Sequence, residues 1–338
     1  MKNKVILFRS GWLVNSHLRE FYREDDGRSD FIVNLIEQCE NQFRGITNLD
    51  QLNPSEEVCL EVHINAQFVQ TKAPKILLYL ECPEIRPQNI IANFKVYNKV
   101  ISWFHVGGLD DTKMVVLPYP HKIIIENHNL NLNQRSIHYS MLCSNRNVFY
   151  NAPKSIYNKR VDVINYVTSN LALNEKFKLY GLSWNKRAVW SNVFSMSMSK
   201  IKYFNKLFMT KKYLNIWQGF NAEKKSILLN SKFNFCYENV DGLNGYISEK
   251  LLDALSCYTV PVYYSSFDIK NIIPEDLYFD ARKYPNIESL FADLAVFDNK
   301  SYDIWKEKVK EILPELRKRH SIENFLSSMK LIINEQQL

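Results

Sequence analysis

Residues 232–266 read KFNFCYENVDGLNGYISEKLLDALSCYTVPVYYSS, and the order of apolar and polar positions in this stretch decides the fold. Phe233–Tyr237 is a short apolar run, the signature of a buried strand. A polar loop follows, then Ser248, a good helix N-cap, and a helical pattern reaching Cys257. Val260–Tyr264 is a second buried strand. Strand, helix and strand at this spacing make a βαβ unit, which requires parallel pairing.

The same alternation extends in both directions. Val5–Phe8, Val58–Ile64, Ile76–Leu80, Val100–Phe104 and Met114–Leu117 read as buried strands, with a helical pattern at Asp30–Gln42. A second series holds strands at Tyr139–Cys143, Phe177–Tyr180, Phe233–Tyr237, Val260–Tyr264 and Leu277–Phe279. Helical patterns fall near Ile156–Ser169, Glu223–Leu229, Ser248–Cys257 and Ile287–Ala295. Two series predict an α/β protein of two doubly wound, Rossmann-like domains facing each other. The divisions expected are 1–122, a linker at 123–135 and a second domain at 136–312. A helical tail at 313–338 is placed to pack back on the first domain. Pro118, Pro120 and the Asn-rich stretch to Gln134 mark the linker, and Pro314 is expected to divide the last two helices, Tyr302–Leu313 and Ser321–Ile333.

A chain of 338 residues suits two domains, and 46% hydrophobic with 23% charged residues excludes wholesale disorder. Only nine glycines are present, and no GxGxxG or GxxxxGK[ST] can be drawn through them. Both glycine-rich phosphate cradles are therefore excluded. No window approaches the run of about 18 apolar residues that a membrane helix needs. The six cysteines are widely spaced without CxxC, which predicts buried thiols in a reducing compartment, and the seven histidines show no metal spacing. The net charge of +7 gathers at Lys200–Lys212 and near the carboxyl end. No aromatic-interleaved nucleic-acid module accompanies it. The basic C-terminal helices remain a candidate for peripheral membrane contact.

In parallel open sheets, ligands sit beyond the carboxyl ends of the strands. Glu238 and Asn239 occupy that position. The helix beginning at Ser248 offers free N–H groups and partial positive charge, and Lys250 adds a full one, so the pair could hold a diphosphate without glycine. Glu249 can accept hydrogen bonds from sugar hydroxyls. Taken alone, Ser248–Lys250 is ordinary capping with a surface lysine.

The whole string resembles the α-1,3/4-fucosyltransferases, glycosyltransferase family 10. Cys236-Tyr-Glu-Asn239, Tyr246-Ile-Ser-Glu-Lys250 and Thr259-Val-Pro-Val262 follow the family signature in order and spacing. Three departures stand out. Ser248 replaces Thr, the loop from Asn239 to Tyr246 is one residue longer and lacks the usual Ser, and Ser265 stands where the family usually has Gly. Met141-Leu-Cys-Ser-Asn145 with Tyr157-Asn-Lys-Arg160 is similar to the family's strand and Arg-bearing helix. Phe177-Lys-Leu-Tyr-Gly-Leu-Ser-Trp184 is similar to its Tyr-Gly-x-x-Trp strand. Lys75-ILLYLECPEIRP-Gln88 resembles the acceptor-domain strand that ends in Glu-Ser-Pro.

The resemblance implies an inverting transferase with two Rossmann-like domains of the GT-B type, using GDP-β-L-fucose. Glu81 takes the place of the general base acting on a glycan hydroxyl, typically O3 of N-acetylglucosamine; Glu84 is the rival carboxylate. Arg160 and Lys250 would meet the diphosphate, Tyr246 and Glu249 the donor's hydroxyls, and Glu238 and Asn239 would line the donor pocket. No Asp-x-Asp stands at a donor-half strand end; the nearest pair, Asp110-Asp111, lies in the acceptor half, so no metal is expected to be required. An alternative keeps the transferase and changes the donor to another nucleotide-activated deoxysugar. Lack of a signal anchor points to a bacterial enzyme of lipopolysaccharide or other surface-polysaccharide synthesis, cytoplasmic or peripheral at the inner membrane.

Overall fold

The computed structural model describes residues 2–10, 30–83, 85, 89, 93–124, 130–147, 155–185, 189–190, 212–220, 223–265 and 269–336. Glu84 and the basic run 200–211 lie outside them. The chain divides into two compact units, Met1–Lys122 with Arg317–Leu338, and Ile123–Leu316.

The first unit holds β1 (Asn3–Ser10), α1 (Asp30–Glu40), β2 (Arg44–Ile46), β3 (Glu56–Ile64), β4 (Lys75–Leu78), β5 (Lys99–Ser102) and β6 (Met114–Val116). They form one parallel sheet in the order β2-β1-β3-β4-β5-β6. Strands buried on both faces need near-continuous apolar runs, and Val5–Phe8 supplies one, every residue fully buried. One face of the sheet (Ile6, Phe8, Leu60, Val62, Ile76, Leu78) packs under α1 and the chain's last helix. Phe31 meets Phe325 edge-on at 5.2 Å there. Each such side chain, fully buried, stabilises by about 1.5–3 kcal/mol. The opposite face is mixed. Val5, Leu7 and Ile46 form a small apolar cluster, but β3 alternates, so Glu61 and His63 are also fully buried.

The second unit holds β7 (Ile137–Leu142), β8 (Arg146–Asn147), α2 (Tyr157–Ser169), α3 (Leu171–Asn174), β9 (Phe177–Tyr180) and β10 (Val189–Trp190). It continues with α4 (Lys224–Asn230), β11 (Ser231–Tyr237), α5 (Glu249–Ser256), β12 (Val260–Tyr264), β13 (Phe279–Asp280) and α6 (Ile287–Val296). Its main sheet is parallel, ordered β13-β12-β11-β7-β9, and β8 pairs with β10 apart from it. Two last helices, α7 (Asn299–Arg319) and α8 (Ile322–Glu335), end the chain.

Residues 123–135, expected to be a linker, belong to the second unit. Ile123 and Leu132 are buried in its core, and Arg135 is a staple. Its guanidinium donates to the carbonyls of Leu228, Leu229, Ser231 and Cys257, to Thr259 Oγ1 and to Tyr302 Oη. Leu228, Leu229 and Cys257 lie at the carboxyl ends of α4 and α5, where carbonyls lack intrahelical donors, and a guanidinium carries five N–H groups in a fixed fork.

Pro314 does not divide the tail. It sits inside α7, which runs unbroken from Asn299 to Arg319. The missing N–H costs one intrahelical bond, but Leu313 and Leu316, on either side, are fully buried, and this packing outweighs the local cost. The division falls instead at His320. No cysteine is in a disulfide. Among the described residues, no helix is long and apolar enough to cross a membrane.

Candidate active site

In chain order, the strands of the second sheet run 2-1-3-4-5, so strand order reverses between β7 and β11. That reversal leaves a crevice, the usual ligand position in such sheets. Pairing between the two strands is last registered at Asn234 with Ser140, whereas β11 stays paired with β12 as far as Tyr237 with Tyr264. The expected donor-site residues gather at this point.

Arg160 lies in the first turn of α2, the helix that follows β7. It is 4% exposed. Its Nη2 donates to the Tyr237 carbonyl at 2.7 Å and to Asn239 Oδ1 at 2.8 Å, and its guanidinium lies 4.8 Å from the Tyr157 ring centroid. Its Nε is buried without a hydrogen-bond partner among the described residues. Buried donors are rarely left so.

Ser248 caps α5. Glu238, fully buried, faces that cap: its carboxylate accepts the Ser248 N–H at 2.9 Å and the Ser248 hydroxyl at 2.5 Å. Lys250 Nζ donates to Glu238 at 3.2 Å and to Ser248 Oγ at 3.0 Å, and lies 3.6 Å from Glu249. Burial pushes the Lys250 ammonium down, but the Glu238 and Glu249 carboxylates outweigh it and hold its pKa above the ordinary value. Lys250 is therefore cationic at any working pH. Arg160 acts on it from nearby, and the half-buried Cys143, at the end of β7, feels both cations. One crevice thus collects Arg160, Asn239, Glu238, Ser248, Glu249 and Lys250.

Of the residues expected at the donor site, Glu238 and Tyr246 sit differently from the expectation. Glu238 does not line a pocket; it lies beneath the cap as a resident anion, engaging the Ser248 N–H that an incoming phosphate was expected to share. A buried carboxylate persists only when paired and hydrogen-bonded, and here it is both. Tyr246, expected to meet the donor's hydroxyls, is 2% exposed. Ser265 is fully buried, its hydroxyl donating to the Val240 carbonyl at 3.0 Å. Its own carbonyl accepts from Arg282, which pairs with Asp280 at 2.8 Å.

Glu81 belongs to the first unit. It stands three residues beyond β4, in a bend at the carboxyl edge of the sheet, and is half-buried. Its N–H donates to Asn65 Oδ1 at 3.2 Å, and its carbonyl accepts from Asn89 Nδ2. Deeper on the same sheet, His63 Nε2 lies 2.8 Å from Glu61 and His63 Nδ1 lies 2.9 Å from Tyr97 Oη. Burial would raise the Glu61 carboxyl, but bonds from His63 and Thr71 prevail and hold it below its usual range.

Asn65, Asn89, Arg135 and the Glu61–His63 pair escaped the sequence reading. Only Leu60-Glu-Val-His-Ile64 carried a signal, a polar alternation inside a strand that a parallel sheet should bury on both sides. Among the described residues no group of three or more His, Cys, Asp or Glu side chains could hold a metal ion.

Solved structures share this arrangement of elements. An alpha1,3-fucosyltransferase crystallised with GDP superposes with a TM-score of 0.54 at 14% identity, over 98% of this chain and 91% of that one. A glycosyltransferase from Rickettsia africae ESF-5 gives a TM-score of 0.52 at 9% identity, over 99% of both chains. At these identities the likeness concerns the fold, and that fold is the GT-B class of glycosyltransferases. Residues 162–329, about half the chain, match the family model for glycosyltransferase family 10 (fucosyltransferase), C-terminal. The alpha-(1,3)-fucosyltransferase FucT of Helicobacter pylori is 43% identical over 49 residues, 14% of this chain and 10% of that protein, so the match spans about a tenth of that relative. Residues 162–329 thus belong to glycosyltransferase family 10. The matched region includes Glu238–Lys250; Arg160 lies two residues before it, and Glu81 is well outside.

Proposed function

We propose that the protein transfers L-fucose from GDP-β-L-fucose to a hydroxyl of a glycan acceptor, with inversion at the anomeric carbon. Glu81 takes the proton from the acceptor hydroxyl, O3 of N-acetylglucosamine in this reading. That oxygen bonds to the anomeric carbon as the carbon–oxygen bond to the β-phosphate breaks and GDP departs. The departing diphosphate gains negative charge where Lys250, Arg160 and the amino end of α5 concentrate positive potential. The observation that carries this reading is the Arg160–Lys250 pair at the β7–β11 crevice, one permanently charged and the other with a buried N–H to spare. Glu238 and Asn239 serve the donor by holding these two cations, and Glu249 meets its sugar hydroxyls.

Protein cations supply the positive charge, so the reading requires no divalent ion, and turnover in EDTA should match turnover without it. Ser265, the departure that suggested another donor, turns its hydroxyl inward to Val240; release of free GDP from a panel of donors checks the sugar. Family membership and the Helicobacter relative favour a bacterial surface or lipopolysaccharide glycan as acceptor. Mass spectrometry of products made from GDP-fucose with lactosamine-type acceptors identifies it.

The central test separates the two units. Glu81→Gln should lower transfer by about 10²–10⁴-fold, the usual worth of a positioned base, while calorimetry gives wild-type GDP affinity. Lys250→Ala should weaken GDP binding about 10- to 100-fold, the loss of one charged hydrogen bond. Undiminished turnover in Glu81→Gln removes that residue from the mechanism.

A further inference from the structure

Glu81 stands on no regular element, yet side chains hold its main chain on both sides. Asn65 Oδ1 accepts the N–H of Leu80 at 3.1 Å and of Glu81 at 3.2 Å. Asn89 Nδ2 donates to the Glu81 carbonyl and, at 3.0 Å, to Asn65 Oδ1. Asn89 Oδ1 accepts the Ala66 N–H at 2.9 Å, so the two amides tie together the chain leaving β3 and the chain leaving β4. Both asparagines are 2% exposed.

Asparagine suits both posts. Asn65 adopts the left-handed conformation, φ 59°, at the first residue after β3. Asparagine tolerates that region better than other non-glycine residues. Its N–H still completes the sheet by donating to the Leu78 carbonyl at 2.8 Å, so the left-handed turn redirects the side chain without breaking the ladder. Asn89 needs an acceptor and a donor on one short side chain, and the amide supplies both. A buried amide is costly unless its polar atoms are satisfied. Among the described residues, the hydrogen bonds of the two side chains converge on Leu80–Glu81 or on the turn that presents Asn65. A loop requiring only closure could be closed by apolar packing; what this bracket adds is a fixed direction for the residue at its centre.

We propose that Asn65 and Asn89 are positioning residues for the transfer reaction, aiming the Glu81 carboxylate by gripping its peptide N–H and carbonyl. The proposal rests on the reading of Glu81 as the base. A misplacement of about 1 Å in a catalytic group can cost about 10²-fold in rate, so the bracket acts on kcat and not on donor binding, which belongs to the other unit.

Two substitutions at Asn65 divide the possibilities. Asn65→Gly retains the left-handed backbone and removes the acceptor. It should lower kcat about 10- to 100-fold, with GDP affinity and the KM for GDP-fucose unchanged. Asn65→Asp retains the acceptor and adds a negative charge beside Glu81. It should recover most of kcat, while the acid limb of the kcat–pH profile moves to higher pH, because a like charge raises a carboxyl pKa. Wild-type kcat in Asn65→Gly, or an unmoved acid limb in Asn65→Asp, overturns the proposal. If Asn65→Gly does not fold, the acid limb of Asn65→Asp decides alone. Glu81→Gln is assayed alongside. Full turnover there overturns the base and its bracket together, whereas an inactive Glu81→Gln beside a fully active Asn65→Gly overturns the bracket alone.

Discussion

Glu238 shows how a correctly located residue can carry a role its motif does not disclose. Tyr237-Glu-Asn239 puts a carboxylate at a strand's carboxyl end, and the sequence suggests a ligand contact. In the structure that carboxylate is fully buried, accepts two bonds from Ser248 and pairs with Lys250. The reason lies in energetics that no spacing encodes: a lysine taken mostly out of water needs a partner at once. Glu238→Gln keeps the shape and removes the charge. We expect a stability loss of about 1.5–3 kcal/mol, that of hydrogen bonds to a charged group, and a lower pKa for Lys250. Thermal unfolding of the variant checks this, and wild-type melting would mean that Glu238 carries no buried charge. Asn65 and Asn89 were illegible for a related reason. Asparagine in loops is common, and the bond joining these two spans 24 residues.

At the scale of elements, the sequence reveals the strands and helices whose apolar runs are long enough. Phe177–Tyr180 and Val260–Tyr264 appear with the expected bounds. β2 was missed because it is three residues long, Arg44-Gly45-Ile46, with only Ile46 buried. Pro314 misled because local propensity was weighed without the packing of Leu313 and Leu316. The Tyr180-Gly-Leu-Ser-Trp184 run, similar in sequence to the family's Tyr-Gly-x-x-Trp strand, has a geometric cause. Gly181 has φ 134°, and a Cβ there would lie 2.0 Å from the Cys143 carbonyl oxygen. Trp184 Nε1 donates to that same carbonyl at 2.7 Å, and Trp217 Nε1 donates to Gly181 O at 2.9 Å. The backbones at the ends of β7 and β9 approach too closely for any side chain. Gly181→Ala should destabilise the second unit by about 3 kcal/mol or more, combining a left-handed strain with a backbone clash. Denaturant unfolding measures it; a loss within a few tenths would show that the two chain segments separate freely.

At the scale of the whole molecule, the parallel sheets and the division near residue 122 were legible, because alternation of strand and helix patterns is a global signal. What was not legible is how the chain is fastened where it leaves and re-enters the first unit. His320 lies between α7 and α8, three residues into the re-entering segment. It is 3% exposed, with Nδ1 2.8 Å from the Tyr119 carbonyl, while the His121 N–H donates to the His320 carbonyl at 2.7 Å. Its Nε2 is buried without a partner among the described residues. Burial, with Arg319 and His121 nearby, outweighs the bond to Tyr119 and pushes the imidazole down to about 4. An unfolded histidine titrates near 6.5. Between about pH 6.5 and 4 the unfolded chain therefore binds a proton that the native chain refuses, and stability must fall as the solution is acidified. The full contribution is present above the unfolded value and is lost toward the folded one, on the order of 3 kcal/mol for this shift. His138 adds a slope of the same sign, pushed down to about 4 by burial and by Lys232 and Lys176, though its partial exposure reduces its share. His320→Asn can still donate to Tyr119 and cannot take up a proton, so it should flatten the fall in stability across this window and leave only the portion due to His138. The carboxylates held below their usual range, Glu61 among them, release their stabilisation at more acidic pH, which keeps the histidine window separate. Unfolding free energies measured through the window for both proteins decide the matter: parallel curves would place the proton elsewhere than on His320.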